Sequence, residues 1–368
     1  MASKNIFFAG GGTGGHIYPA LGVAEKIAEI DSTAKIHFFV SSRDIDKKIL
    51  SKTPFQWTVL PAAGFSIRPD KFIKFFSTFM SSQKIAAEAL RKIENAVVIG
   101  IGGFVAAPVC RAAYKLKIPM YLINVDIIPG KANKLIAKWA DRIFTQFDET
   151  AEYFGKQKSK VTVAGCPLRG SFRNPNPRKA KETLGLDYNK KILLVTGASS
   201  GSLSINKTVC SLLEKLSNYA NDWQIVHLTG RANYEEVKAG YEKALITHKV
   251  VDYYDDMADL LTAANVVIGR SGAVSVAEYA AAGVPSICMP YPYHKDIHQY
   301  LNAGKLVEAG AAFIVDDLGD DEDRREWLWE ELEGLLKNDN IRKQMKEACK
   351  LAARKDAAKI IAEAVLSV

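Results

Sequence analysis

The chain has 368 residues, 48% hydrophobic and 24% charged, enough for two α/β domains that each close a core, which excludes a disordered or collagen-like chain. Mean hydropathy is near zero and no run of about 18 apolar residues occurs, so no transmembrane helix is expected. The net charge of +8 is lopsided: residues 1–165 carry 23 Lys and Arg against 13 Asp and Glu, the remainder 26 against 28, so a polyanion, either nucleic acid or an anionic membrane face, is expected to meet the first half.

Residues 1–5 lead straight into an apolar strand without the basic, apolar and cleavage regions of a secretory leader, and a cytoplasmic location is expected. Short apolar runs rich in branched and aromatic residues at 6–9, 35–40, 96–100, 120–124 and 142–145 read as strands, separated by helical spacing at 18–30 and 104–116. Around 166–178 the pattern lapses into Pro, Gly, Asn and Arg. A second series of strands follows at 191–195, 224–228, 249–251, 265–268, 286–289 and 312–315, and the chain ends in helical sequence. The expected architecture is α/β, two Rossmann-like parallel-sheet domains facing a cleft. Its parts are an N-terminal domain over 1–165, a linker over 166–190, a C-terminal domain over 191–340, and C-terminal helices over 341–368 that return to the first domain. Cys110, Cys166, Cys210, Cys288 and Cys349 are widely spaced with no CxxC pair, which argues against a disulfide framework or a zinc site.

Three strand-to-helix turns are rich in glycine: Gly10-Gly11-Gly12-Thr13-Gly14-Gly15-His16, Gly100-Ile101-Gly102-Gly103-Phe104, and Thr196-Gly197-Ala198-Ser199-Ser200-Gly201-Ser202. Each reads as an anion site, because glycine lets the backbone approach a ligand and a helix N-terminus offers unpaired N–H groups; a tight turn alone is the alternative. Gly10, Gly12 and Gly15 also fit a dinucleotide formula. The second strand, however, ends Val40-Ser41-Ser42-Arg43 with no acid for a ribose, leaving only a 2′-phosphate to be met by Ser41 to Arg43. Glu278, early in a helix, suits a pair of ribose hydroxyls or simply the helix dipole. His294 and His298 have i, i+4 spacing but lack the glutamate and cysteine of a zinc motif, and Asp44-Ile45-Asp46, a formal DxD, reads as a solvated helix start; no metal site is expected.

Gly11 to His16 with Pro19-Ala20-Leu21, Gly102-Gly103 with Pro108, Pro129-Gly130 with Asn133-Lys134, Arg270 to Ala273 through Glu278, and His298-Gln299 with Asn302-Ala303 together resemble the MurG family from about residue 5 to 316. The resemblance implies a GT-B fold and an inverting, metal-independent transfer of N-acetylglucosamine from UDP-N-acetylglucosamine to the 4-hydroxyl of the N-acetylmuramyl group of lipid I, an undecaprenyl-linked acceptor, with no cofactor. It implies donor contacts from Thr13, Gly14, Gly15, Arg169 and Ser199 at the diphosphate and sugar. Tyr254 is implied at the uracil, Ala273, Val274, Ser275, Val276, Ala277 and Glu278 around the nucleoside, and Gln299 on the sugar; Gly102, Gly103, Phe104 and Asn133 fall on the acceptor side. The chain departs from the family where His-Glu-Gln-Asn usually stands: it has Ile123-Asn124-Val125-Asp126, so an asparagine resembling a donor ligand becomes Asp126. Phe104, Cys166 and Ala198 replace the usual tyrosine, asparagine and glycine.

Transfer needs a base, and His16, able to titrate near neutrality, is the first candidate, with a capping or sugar-positioning role as its alternative; Asp126 is the second candidate. Phe72, Ile73, Phe75, Phe76, Phe79 and Met80 form a helical apolar stripe flanked by Lys71 and Lys74, suited either to core packing or to an anionic inner-membrane surface. The resemblance favours the latter, a peripheral position on the cytoplasmic side of the bacterial membrane. Nothing in the sequence supplies a nucleic-acid-binding motif, so no nucleic-acid partner is expected. Transfer to another lipid such as diacylglycerol, or UDP-sugar binding without catalysis, are the alternatives.

Overall fold

Strands buried on both faces and alternating with helices assemble into two parallel sheets, one in each of two units, residues 1–170 with 354–368 and residues 171–353. The computed structural model describes residues 3–64 and 69–368, the side chains of 69–72 excepted.

The first sheet contains β1 (Asn5–Gly10), β2 (Lys35–Val40), β3 (Gln56–Val59), β4 (Ala96–Gly102), β5 (Met120–Asn124), β6 (Arg142–Thr145) and β7 (Val161–Val163), ordered β3-β2-β1-β4-β5-β6-β7. Its helices are α1 (Gly14–Ile30), α2 (Asp44–Leu50), α3 (Pro69–Leu90), α4 (Gly103–Lys115) and α5 (Lys131–Ile136). Phe7, Phe39, Val98, Val109, Leu122 and Ile143 belong to its core. Strand order reverses between β1 and β4, which makes the carboxyl ends of these two strands the natural ligand position. The short β3 and β7, at the sheet edges, lie outside the expected strand series; neither has a buried residue, so neither carries the fully apolar signature of the inner strands.

The second unit begins with α6 (Pro177–Leu184) and carries β8 (Lys191–Thr196), β9 (Trp223–Leu228), β10 (His248–Val251), β11 (Val266–Gly269), β12 (Ser286–Cys288) and β13 (Ala312–Ile314), ordered β10-β9-β8-β11-β12-β13. Its other helices are α7 (Leu203–Ser211), α8 (Leu213–Ser217), α9 (Tyr234–Gly240), α10 (Met257–Ala263), α11 (Ala273–Ala282), α12 (His298–Glu308), α13 (Asp321–Lys337) and α14 (Asp339–Ala352). The reversal here falls between β8 and β11.

Residues 166–190, expected as a linker, are instead divided between the units. Up to Gly170 they stay with the first: Leu168 crosses α1 at Gly22, where a Cβ would lie 2.5 Å from its carbonyl oxygen, and Gly170 N–H donates to Glu25 Oε2 at 2.6 Å. From Ser171 they join the second, where α6 starts at Pro177 behind an Asn176 cap, stops at the left-handed Gly185, and is tied to α10 by Asn176 N–H to Asp259 Oδ1 at 2.7 Å. The stretch 341–368 is likewise split. α14 stays on the second unit, with Met345 in the core and Cys349 Sγ against the Val284 carbonyl, because its apolar stripe is already buried there. Only α15 (Ala357–Leu366) packs on α1, fixed by Tyr121 Oη donating to the Ala364 carbonyl and by the Arg354–Asp148 pair.

His227 on β9 is fully buried. Asn206 Nδ2 donates to the Thr229 carbonyl at 3.0 Å, so Asn206 Oδ1 accepts from His227 Nε2 at 3.0 Å, and His227 Nδ1 accepts from the Tyr241 hydroxyl at 3.0 Å. Burial pushes the His227 pKa down from 6.5 to about 3. Between those values the unfolded chain binds a proton that the folded chain refuses, so stability present above pH 6.5 is lost as pH falls toward 3. Urea unfolding of the wild type is expected to weaken over this range by up to about 1.4 kcal/mol per pH unit from this residue. The variant His227→Gln is expected to flatten that slope; an unaltered slope refutes the assignment.

Candidate functional site

In the first unit the two glycine turns lie side by side, Gly10 pairing with Gly102 across β1 and β4. Gly102 (φ +119°) and Gly103 (φ +78°) are in the left-handed region, and a Cβ on Gly103 would lie 2.7 Å from the Gly11 carbonyl oxygen, so only glycine permits this contact. The first turn is held from behind by Asp46. Its carboxylate accepts the Gly12 N–H at 2.8 Å on both oxygens, and the Ser41 N–H at 3.1 Å and hydroxyl at 2.5 Å on Oδ2. Arg43 Nη1 completes the clamp on the Gly12 carbonyl at 2.7 Å.

Two expectations change as a result. Asp46 is fully buried, so 44–46 is not simply a solvated helix start: Asp44 faces solvent, and Asp46 is drawn inward by three donors that only a carboxylate satisfies together. The Gly12 N–H, expected to be open to an anion, already holds one. Ser41 and Arg43, the residues weighed for a 2′-phosphate, are committed to the same clamp.

His16 stands half-buried in the first turn of α1, its Nδ1 3.1 Å from Thr13 Oγ1. Burial holds its pKa below 6.5, opposed in part by the charge of Asp126, a bond to the Gly11 backbone and the charge of Asp46; Arg43 adds to the lowering. Across the turn, Ile123 and Val125 are buried apolar residues, Asn124 is buried, and Asp126 is half-buried. Asn124 Nδ2 donates to the Asp126 carbonyl at 2.6 Å, and Asn133 Nδ2 donates to Asn124 Oδ1 at 2.8 Å. A Cβ on Gly102 would lie 3.0 Å from both Asn133 Oδ1 and His16 Nε2, so these two atoms converge on one spot. The structure thus brings His16, Gly102, Gly103 and Asn133 together. Phe104 opens α4, 48% exposed. Arg169 also belongs to this unit, its guanidinium stacked 4.3 Å above the Tyr18 ring.

In the second unit the loops after β8 and β11 are locked together by Arg270, whose role the motif Arg270 to Ala273 does not reveal. Its guanidinium, 8% exposed with its residue, bonds Asp317 Oδ2 at 2.7 Å, the Met289 carbonyl at 2.8 Å, and the hydroxyls of Ser202 and Ser204 at 2.7 and 3.1 Å. Ser202 also caps α7. Ser199 is exposed at the loop tip beside Ala198, which sits at φ +60°, a left-handed position where the family's glycine is unstrained. In α11, Ala273, Val274 and Val276 are buried, whereas Ser275, Ala277 and Glu278 are partly exposed, so only the latter three side chains are offered outward. Gln299 Oε1 accepts the Tyr291 N–H at 2.9 Å, bracing the loop before α12, and Ile297 enters that helix at φ +43°. The rings of His294 and His298 stack at 4.3 Å, and His298 Nδ1 meets Asp296 at 2.7 Å. Tyr254 follows β10, half-buried.

The apolar stripe of α3 divides. Phe75 and Phe79 are half-buried, 6.0 Å apart, and Phe79 packs on the core together with Ala86 and Leu90; Ile73, Phe76 and Met80 are exposed by 70%, 59% and 49%, and Lys74 is exposed beside them. Core packing and an outward apolar face are therefore both present on one helix. The side chains of Lys71 and Phe72 lie outside the described residues. No helix among the described residues is long and apolar enough to cross a membrane.

The fold is two parallel Rossmann-like units with glycine turns at both sheet reversals, and the chain matches the N-terminal domain of glycosyltransferase family 28 over 6–145 and the C-terminal domain of that family over 192–361, which makes it a glycosyltransferase of the GT-B type. It is 33% identical to the UDP-N-acetylglucosamine–N-acetylmuramyl-(pentapeptide) pyrophosphoryl-undecaprenol N-acetylglucosamine transferase of Caldanaerobacter subterraneus, over 95% of this chain and 96% of that one. It is also 33% identical to the transferase of the same name from Geobacter sulfurreducens, over 98% of each. Among solved structures, Acinetobacter baumannii MurG superposes with a TM-score of 0.73 at 22% identity, covering 99% of this chain and 100% of that one, a likeness of fold. The chain belongs to the MurG family of glycosyltransferases.

Removing the buried carboxylate leaves the Gly12 and Ser41 donors unpaired. Asp46→Ala is expected to cost about 2–4 kcal/mol in urea unfolding, from one or two stranded donors. It is also expected to speed exchange of the Gly12 amide proton; unaltered stability and exchange refute the clamp.

Proposed function

We propose that this protein transfers N-acetylglucosamine from UDP-N-acetylglucosamine to the 4-hydroxyl of the N-acetylmuramyl group of lipid I, forming lipid II for peptidoglycan synthesis. The observation that carries this is the near full-length identity to transferases named for that reaction. In this reading the first unit serves the acceptor. With Nδ1–H donating to Thr13 Oγ1, His16 offers its Nε2 lone pair to the 4-hydroxyl; the proton passes to Nε2 as the oxygen attacks the anomeric carbon. The bond from that carbon to the diphosphate breaks, its electron pair leaves with UDP, and the configuration inverts. Depression of the His16 pKa by burial supports the role, since it keeps the imidazole neutral near pH 7.

The second unit serves the donor: Glu278 the ribose, Tyr254 the uracil, Gln299 the sugar hydroxyls, and Ser199 the diphosphate; the resemblance assigns donor contacts to Thr13, Gly14, Gly15 and Arg169 as well. Backbone N–H groups and Arg169 take up the charge developing on the departing diphosphate, in place of a metal ion. The exposed Ile73, Phe76 and Met80 with Lys74 suit peripheral docking on the anionic cytoplasmic face of the membrane, where the lipid acceptor lies. A second reading, transfer to a different lipid such as diacylglycerol, is favoured by Ile123 and Val125, which are buried apolar residues where the family has polar ones.

Purified protein with labelled UDP-N-acetylglucosamine and lipid I is expected to give lipid II at a rate unaffected by EDTA; transfer only to another lipid overturns the acceptor assignment. His16→Ala is expected to lower kcat by about 10²–10⁴-fold, the range typical of a lost general base. The wild-type kcat/KM is expected to fall on acidification along a limb lying below pH 6.5 that His16→Ala abolishes; a limb that persists in His16→Ala removes His16 as the base. Phe76→Ser with Met80→Ser is expected to reduce sedimentation with anionic vesicles while leaving transfer to a detergent-solubilised acceptor unchanged.

A further inference from the structure

One stripe of α1 holds the chain in register as it approaches Gly170, the last residue of this segment of the first unit. Tyr18, Gly22 and Glu25, spaced by four and three residues, lie on one face of that helix. Residues 167–170 run along this face. A Cβ on Gly22 would lie 2.5 Å from the Leu168 carbonyl oxygen and 3.1 Å from that of Pro167, so the backbone rests directly on the helix there. One turn further on, Glu25 Oε2 accepts the Gly170 N–H at 2.6 Å. Arg169 stands between these two anchors, with its backbone fixed on both sides and only its long side chain left to place. Tyr18, one turn back from Gly22, places it: the guanidinium lies over the Tyr18 ring at 4.3 Å, both residues half-buried.

We infer that Tyr18 is a positioning residue for Arg169: its ring preorganises the guanidinium for the diphosphate of the UDP-sugar. This rests on the contact between Arg169 and that diphosphate proposed above. A stacked guanidinium spends its face on the ring and keeps its edge, because its N–H groups lie in the plane and point outward in the fork that matches phosphate oxygens. An arginine free in solvent gives up rotamer freedom when it meets an anion, whereas one already laid on a ring between two backbone anchors has given it up beforehand. Tyr18 sits inside the first glycine motif, between His16 and Pro19, and the stacking gives it a role there that belongs to its ring rather than to its hydroxyl.

The test titrates the full-length protein with UDP and with uridine, neither of which involves the acceptor. Uridine lacks the phosphates, so it reports the nucleoside contacts and the integrity of the fold. Tyr18→Leu is expected to weaken UDP binding about tenfold, the size of a partly desolvated cation–π contact, and to leave uridine binding unchanged. Tyr18→Phe, which keeps the ring, is expected to retain the wild-type affinity for UDP. Arg169→Ala is expected to weaken UDP at least as much as Tyr18→Leu does, and in that background Tyr18→Leu is expected to cost nothing further, because its effect passes through the guanidinium. An equal loss of UDP and uridine in Tyr18→Leu, a loss in Tyr18→Phe as large as in Tyr18→Leu, or full additivity with Arg169→Ala overturns the inference and leaves the diphosphate role of Arg169 standing. Affinity for UDP unaltered by Arg169→Ala overturns that role, and the inference with it.

Discussion

The first unit is organised by the contact between two backbones that no side chain may enter, Gly11 against Gly103. Parallel strands β1 and β4 are neighbours, yet their helices leave toward opposite faces of the sheet, and at that reversal the two turns must pass almost in touch. The need for glycine there has a cost: a glycine turn has little to hold its shape. Asp46 supplies what is missing, reaching in from α2 with both carboxylate oxygens to the Gly12 N–H, while Arg43 grips the Gly12 carbonyl in the next peptide. The turn is made rigid from behind, and His16 stands at a defined place in front because its helix begins where the clamp ends.

The second unit solves the same problem with the opposite charge. There the buried group is a guanidinium, and Arg270 spans the reversal between β8 and β11 by bonding both the loop serines and Asp317. A buried ion pair contributes little net stability relative to apolar packing, but losing one partner strands the other. Its significance is geometric: it joins the loop carrying Ser199 to the turn that opens α11, so residues from separate strands that we propose for the donor share one frame. Ser202, bonded to Arg270 and capping α7, belongs to the same frame.

Much of this was legible in the sequence, and the limits follow from what sequence patterns encode. Inner strands announce themselves because burial on both faces makes them continuously apolar; β3 and β7, edge strands without buried residues, lack that signature. Glycine turns were visible, but not what fills them. Asp46 lies 34 residues from Gly12 in the chain, and a carboxylate flanked by Arg43 and two lysines looks solvated until the strand order places it under the turn. Similarly, the α3 stripe at helical spacing was open to two readings because it holds two faces, one against the core and one outward, and spacing alone does not divide its six apolar residues between them.

The replaced stretch at 123–126 illustrates how a local departure is absorbed. Ile123 and Val125 point into an apolar core and need no polar partner, so what the chain gives up in hydrogen-bonding capacity there it gains in packing. The polar positions that remain, Asn124 and Asp126, are not equivalent survivors. Asn124 is buried, donating to the Asp126 carbonyl and accepting from Asn133 Nδ2. Asp126 stays half-buried, close enough for its charge to oppose the desolvation of that histidine. A neutral asparagine there exerts no such charge, so the substitution acts on the imidazole through electrostatics even without touching a substrate. The departure therefore leaves the frame of the site intact and changes one property at its centre, the charge that faces the His16 imidazole.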